Sequence, residues 1–138
     1  MGRIVVSLVV SNVDDRRRAQ RGELPRDQVR ATTVEASVDS GATYLCLPKP
    51  IVDDLGLPLN GARPTRTAAG VRHMNVYGGA HLEIDGRTCE VEVMSLDESQ
   101  RALLGQIPLE ILDFWIDPVN QRLVGNPEHG GQWMAEAY

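Results

Sequence analysis

Val38-Asp39-Ser40-Gly41-Ala42-Thr43 is the stretch around which the rest of the chain is arranged. Before it, Thr33 to Val38 alternates so that Val34, Ala36 and Val38 fall on one face of a strand. After it comes the apolar run Tyr44-Leu45-Cys46-Leu47, stopped by Pro48. An acidic residue thus sits where a buried strand gives way to a tight turn containing glycine. A carboxylate in that position is expected to be held by backbone on both sides and poorly solvated, which suits chemistry better than solubility. Asp-Ser-Gly also makes ordinary turns. The order of features on either side therefore has to decide between the two.

Upstream, Arg3 to Ser11 is a near-continuous β-branched run and predicts a buried strand. Asn12 to Arg30 is polar and carries Arg16-Arg17-Arg18, which predicts an inserted solvated loop or short helix joining two antiparallel strands. The adjacent acids Asp14-Asp15 and Asp53-Asp54 are expected to be solvated, because neighbouring side chains diverge.

Downstream, Pro48 to Gly56 carries a short helix signal, with Pro50 early and Gly56 as its stop. Leu57 to Gly61 reads as a turn. Arg63 to Asn75 has few large apolar residues and Ala68-Ala69-Gly70 at its centre, a hairpin tip suited to close approach and movement. Ala80 to Ile84 and Thr88 to Met94 form a hairpin about Asp85-Gly86. Arg101 to Gly105 is a short apolar strand, and Gln106 to Leu112 is the one substantial helix, with Ile107, Ile111 and Leu112 at helical spacing. A last hairpin pairs Phe114–Ile116 with Gln121–Val124. The sum is a mostly β chain of short strands in a small closed-barrel-like sheet with one C-terminal helix.

A chain of 138 residues suits a single domain, here 1–126, with 127–138 as a flexible Gly-rich tail. The net charge of −5 argues against nucleic acid as a partner, since phosphate binding needs a basic surface. No apolar run is long enough to span a bilayer, and Ile4 to Val10 lacks a cleavage site, so a cytoplasmic protein without a membrane partner is expected. Cys46 and Cys89 are too few for a disulfide framework and are expected to be reduced thiols in strands. His73, His81 and His129 show no metal-ligand spacing, and neither a metal nor a cofactor is expected.

The whole order resembles the retropepsin-type aspartic proteases of the small single-domain kind, over roughly Ile4 to Val124. Asp39-Ser40-Gly41 matches the family's catalytic Asp-Thr/Ser-Gly, and Ala42 and Thr43 continue that loop. Thr67, Ala68, Ala69, Gly70 and Val71 fall where the family has its substrate-covering flap. Leu103-Leu104-Gly105 matches the segment that packs behind the active site, and Gln106 to Leu112 the helix after it. The flap is less Gly-rich than in viral relatives, and about a dozen residues follow the last strand.

The resemblance implies an aspartic endopeptidase acting on a peptide or protein substrate. Two carboxylates would share a proton, one as base toward a water and the other as acid toward the scissile carbonyl. The chain holds only one Asp-Ser/Thr-Gly, so a complete site requires a homodimer with Asp39 from each subunit. A peptide-binding module that keeps the fold without the chemistry is the alternative. An interaction domain that uses the arginine-rich loop is a third.

Overall fold

The computed structural model describes residues 3–138, and most of its strands belong to one sheet that closes on itself. In chain order the strands are β1 (Val5–Asn12), β2 (Ala31–Val38), β3 (Leu45–Pro48), β4 (Leu59–Thr67), β5 (Gly70–Ile84), β6 (Arg87–Leu96) and β7 (Ala102–Leu104). A separate hairpin pairs β8 (Phe114–Asp117) with β9 (Arg122–Gly125). In space the order is β1-β2-β7-β3-β6-β5, and β5 returns to β1 through Val9↔Glu83 to Asn12↔Ala80, which closes a six-stranded barrel. β4 pairs only with β5 and stands off the barrel as the outer arm of a long hairpin.

Alternation explains the core. Leu8 and Val10 from β1, Val34 and Ala36 from β2, Leu82 and Ile84 from β5 and Val91 and Val93 from β6 all point inward. β1 is buried on one face only: Val5 and Val9 are exposed, so a β-branched run that reads as wholly buried is half solvated. Leu59 to Gly61, expected in a turn, already belongs to β4.

Three short helices decorate the barrel. α1 (Val13–Gln20) occupies the polar insertion; Asn12 caps it by accepting from Asp15 N at 3.0 Å, with Asp14 and Asp15 in the first turn and Arg17 and Arg18 in the last. Asn12 also donates to Leu55 O at 2.9 Å, which ties the insertion to α2 (Lys49–Leu55). Gly56 ends α2 at φ +64. Asp14 and Asp15 diverge as expected, but only Asp14 is solvated. Asp15 is 3% exposed and accepts from Arg30 Nε at 2.8 Å, Arg30 Nη2 at 3.1 Å and Arg30 N at 3.0 Å, and the guanidinium holds its carboxyl below the usual range. α3 (Gln106–Ile111) lies where the one substantial helix is expected, but at 6 residues it is shorter than α1 at 8 and α2 at 7; Pro108, Leu109 and Leu112 make its buried face, while Ile107 and Ile111 turn outward.

The segment from Pro127 onward is tied to the barrel end. His129 Nδ1 lies 2.7 Å from Asp113 Oδ2, Met134 N donates to the same oxygen at 3.1 Å, and Trp133 Nε1 donates to Ile111 O at 3.2 Å. Arg87 gathers the join by donating to Leu112 O and Asp113 O, both at 2.8 Å, and to Gly131 O at 2.7 Å.

Candidate active site

Residues Asp39 to Tyr44 link β2 to β3, although β7 lies between those two strands in the sheet. The linker must therefore arch across the end of β7, and three backbone bonds pin it there. Asp39 N donates to Leu104 O at 3.0 Å, Gln106 N to Ala42 O at 2.7 Å and Ile107 N to Thr43 O at 3.0 Å. Gly105 sits directly beneath the arch: a Cβ there would lie 2.2 Å from Tyr44 O and 2.7 Å from Ala42 O, well inside contact distance. Leu104 is fully buried in the core and Leu103 packs in a second apolar cluster, so the strand under the loop is fixed on both faces.

Within the arch, Asp39 Oδ1 accepts from Gly41 N at 2.9 Å and Asp39 O from Ala42 N at 3.1 Å, the geometry of an Asx turn. Asp39 and Ser40 are exposed, contrary to the expectation of a poorly solvated carboxylate. The physical reason is that the backbone grips only the near side of Asp39, and its far side faces solvent. Oδ2 receives no hydrogen bond from the described residues. Asp39 and Ser40 line an open cleft of about 710 Å³ whose apolar walls include Val38, Leu96, Leu103 and Ile116.

Cys46 is buried in β3 close to this loop. Burial pushes its thiol up to about 11, and the Asp39 carboxylate pushes the same way, so it stays protonated and unsuited to nucleophilic work. Burial likewise pushes Cys89 up to about 11; both thiols are free and sit in strands.

The β4–β5 hairpin carries Thr67 to Val71 at its end. Thr67 Oγ1 donates to Gly70 O at 2.7 Å and accepts from Ala69 N at 3.2 Å, and Gly70 takes φ +104. Ala68, Ala69, Gly70 and Val71 are exposed, and no hydrogen bond among the described residues joins this tip to the Asp39 loop. The base of the hairpin does approach that loop. Met74 and Val76 pack with Cys46, Met94 and Tyr44, and the Arg63 guanidinium lies 5.5 Å from the centre of the Tyr44 ring.

The structure thus brings Asp39 to Thr43 together with Leu103 to Gly105 and leaves Thr67 to Val71 standing clear of them. His73 is exposed on β5; His81 is partly buried there, and burial lowers its pKa. No group of three or more His, Cys, Asp or Glu side chains among the described residues is placed to hold a metal ion.

The family model described as "gag-polyprotein putative aspartyl protease" matches residues 27–110, from the approach to β2 through most of α3. The chain belongs to this family. The match contains the Asp39 arch, the whole β4–β5 hairpin and β7. Among solved structures, the EIAV protease complexed with the inhibitor HBY-793 is similar at 12% identity, covering 79% of this chain and 86% of that one with a TM-score of 0.57. That likeness establishes the fold, which is the retroviral protease barrel. The solution structure of the Simian Foamy Virus (mac) protease matches at 28% identity over 57% of this chain and 85% of that one, with a TM-score of 0.43. No curated protein matches the sequence. No helix among the described residues is long and apolar enough to cross a membrane.

Proposed function

We propose that this aspartyl protease relative is a homodimeric endopeptidase in which Asp39 of each subunit supplies half of the catalytic pair. The observation that carries the proposal is the mismatch in how Asp39 is held. Its Oδ1 is fixed by Gly41 N and its backbone by Leu104 O, while Oδ2 is left open beside an apolar cleft. A carboxylate fixed on one side and open on the other is pre-oriented without being consumed by a structural partner.

A twofold axis passing beside Ser40 sets two such loops against each other. Two carboxylates about 3 Å apart cannot both ionise comfortably, so the pair retains one proton and titrates as a unit. The ionised Asp39 takes a proton from a water held between the two. The protonated one donates to the carbonyl oxygen as that water attacks, and the proton is later passed to the leaving nitrogen. Ser40 hydroxyls hold the two loops in register. The Thr67–Val71 tips of both hairpins close over a peptide in extended form and pair with it as an added strand. The two free, buried thiols fit a reducing compartment such as the cytoplasm.

The test is digestion of a mixed peptide library at high protein concentration, from about pH 4 to 7, with the wild type run beside Asp39→Ala. Cleavage by the wild type alone is expected, with sedimentation reporting a dimer. Equal cleavage by both proteins, or a monomer that is fully active, removes the Asp39 pair from the mechanism.

A further inference from the structure

The two sides of the Asp39 arch are basic in a chain whose net charge is −5. On the side where β2 enters, the open cleft is lined by Arg3 and Arg101. Apart from Asp39 itself these are the charged residues of its lining; Asp97 and Glu98, on the adjoining loop, do not contribute to it. On the side where β3 leaves, the hairpin supplies Arg63, over the Tyr44 ring, with Arg72 further along the same hairpin toward its tip. Register places both on the hairpin face that turns toward the barrel. Arg63 pairs with Met74 and Arg72 with Thr65, and paired residues in an antiparallel ladder share a face. That face is fixed by Met74 packing with Cys46 and Met94, by Thr65 Oγ1 reaching Met94 Sδ at 3.9 Å, and by Arg63 over Tyr44.

None of these four arginines has a carboxylate partner among the described residues. The ion pairs of the described residues engage Arg17, Arg21, Arg30 and Arg122 instead. All four are exposed, and from Leu57 to Leu82 the chain contains no Asp or Glu at all. Arg18, Arg26 and Arg66 are likewise exposed outside the ion pairs of the described residues; the four arginines here differ in facing one open carboxylate from its cleft side and from its hairpin side.

We infer that the substrate is an acidic peptide segment, bound in extended form with its carboxylates against Arg63 and Arg72 of the hairpin and Arg3 and Arg101 of the cleft. This rests on the proposed peptidase and names its substrate class. Guanidinium groups hold carboxylates through paired hydrogen bonds, and at a partly enclosed site such contacts discriminate more sharply than the bare charge. The arrangement also offsets a conflict built into the chemistry. An acidic peptide approaching Asp39 is repelled by it and by the chain's net charge, and a local basic rim reverses the field where the peptide lands.

The experiment uses matched peptides that differ only in carrying Asp/Glu, Asn/Gln or Lys at positions flanking one cleaved bond. Cleavage is followed for the wild type, for Arg63→Gln/Arg72→Gln and for Arg3→Gln/Arg101→Gln. Binding of the same peptides to the wild type and to Asp39→Asn is followed by fluorescence anisotropy, and melting curves check that each variant is folded. The expected result is a preference of about tenfold or more for acidic over neutral peptides in kcat/KM and in Kd, weakening as salt rises and falling toward one in both double variants. Equal handling of acidic and neutral peptides by the wild type overturns the inference while leaving the peptidase intact, and so does a preference that survives both double variants. Selective binding of acidic peptides without cleavage of any peptide has the opposite meaning: the basic rim stands and the peptidase reading fails.

Discussion

Asp39 and Asp113 are two carboxylates placed by the same device and left in opposite states. Each lies beside a glycine that a neighbouring carbonyl presses against. A Cβ on Gly105 would meet Tyr44 O at 2.2 Å, and one on Gly125 would meet Gly131 O at 2.2 Å. Around Asp113, however, every approach is filled. His129 Nδ1 at 2.7 Å, Asn126 Nδ2 at 3.0 Å and Met134 N at 3.1 Å converge on its two oxygens, and these bonds, led by the one from His129, hold its pKa down at about 2. Asp39 accepts one bond from its own turn and faces solvent. A saturated carboxylate is committed to structure. One with an open oxygen beside a cleft is available for chemistry.

The largest expected effect comes from exchanging the two roles. Asp39→Asn keeps an oxygen to accept from Gly41 N, so the arch and the melting temperature should be unchanged, while turnover falls by about 10²–10⁴-fold with loss of the acid–base pair. Asp113→Asn should do the reverse, lowering the melting temperature while turnover per folded molecule holds. Kinetics and calorimetry on both variants check this, and a melting loss in Asp39→Asn as large as that in Asp113→Asn would break the distinction. The glycines sharpen it at a smaller scale. Gly105→Ala and Gly125→Ala each force backbone apart and should cost about 1–3 kcal/mol in denaturant melts. Only Gly105→Ala should also lower kcat, because the displaced atoms belong to the Asp39 arch.

How much of this was readable beforehand follows the range of the interactions. The arch, the tip of the β4–β5 hairpin, the Asp85-Gly86 turn and the position of α3 are written in short spacings and turn residues, and all lie where the sequence puts them. What the sequence hides depends on partners far away in the chain. Asp15 looks like half of a solvated acidic pair until Arg30 is seen folded onto it. The outward turn of Ile107 and Ile111 depends on which face of α3 meets the barrel, and helical spacing alone cannot say which. The solvation of Asp39 departs from expectation because the burial of β2 ends at Val38 and does not extend into the turn. The basic rim had a legible signal, the absence of acids from Leu57 to Leu82, but its meaning needed the register that turns Arg63 and Arg72 to one face.

The smallest expected effect is the pH response of the saturated site. His129 is mostly buried, with Asp113 on Nδ1 and Glu136 Oε1 3.2 Å from Nε2, the latter an ionic contact and not an aligned hydrogen bond. Asp113 is the main cause of its raised pKa, with Glu136 second. A histidine whose pKa is raised on folding contributes stability that is fully present below its unfolded value of about 6.5 and is lost as pH rises through the folded value. The depressed Asp113 works from the other end: its contribution is present above about 4 and is lost as pH falls toward 2. The join between Pro127–Met134 and the barrel should therefore be firmest between about pH 4 and 6.5. Above that window the protonated ring is lost, and Asp113, Glu136 and nearby Glu128 are left with Arg87 as the cation of the join. Melting temperature measured against pH should fall on the alkaline side in the wild type, and that limb should flatten in His129→Gln, which cannot charge. Parallel curves for the two proteins would mean that His129 holds the join through packing alone, and the contrast with Asp39 would then rest on hydrogen-bond count without any contribution from charge.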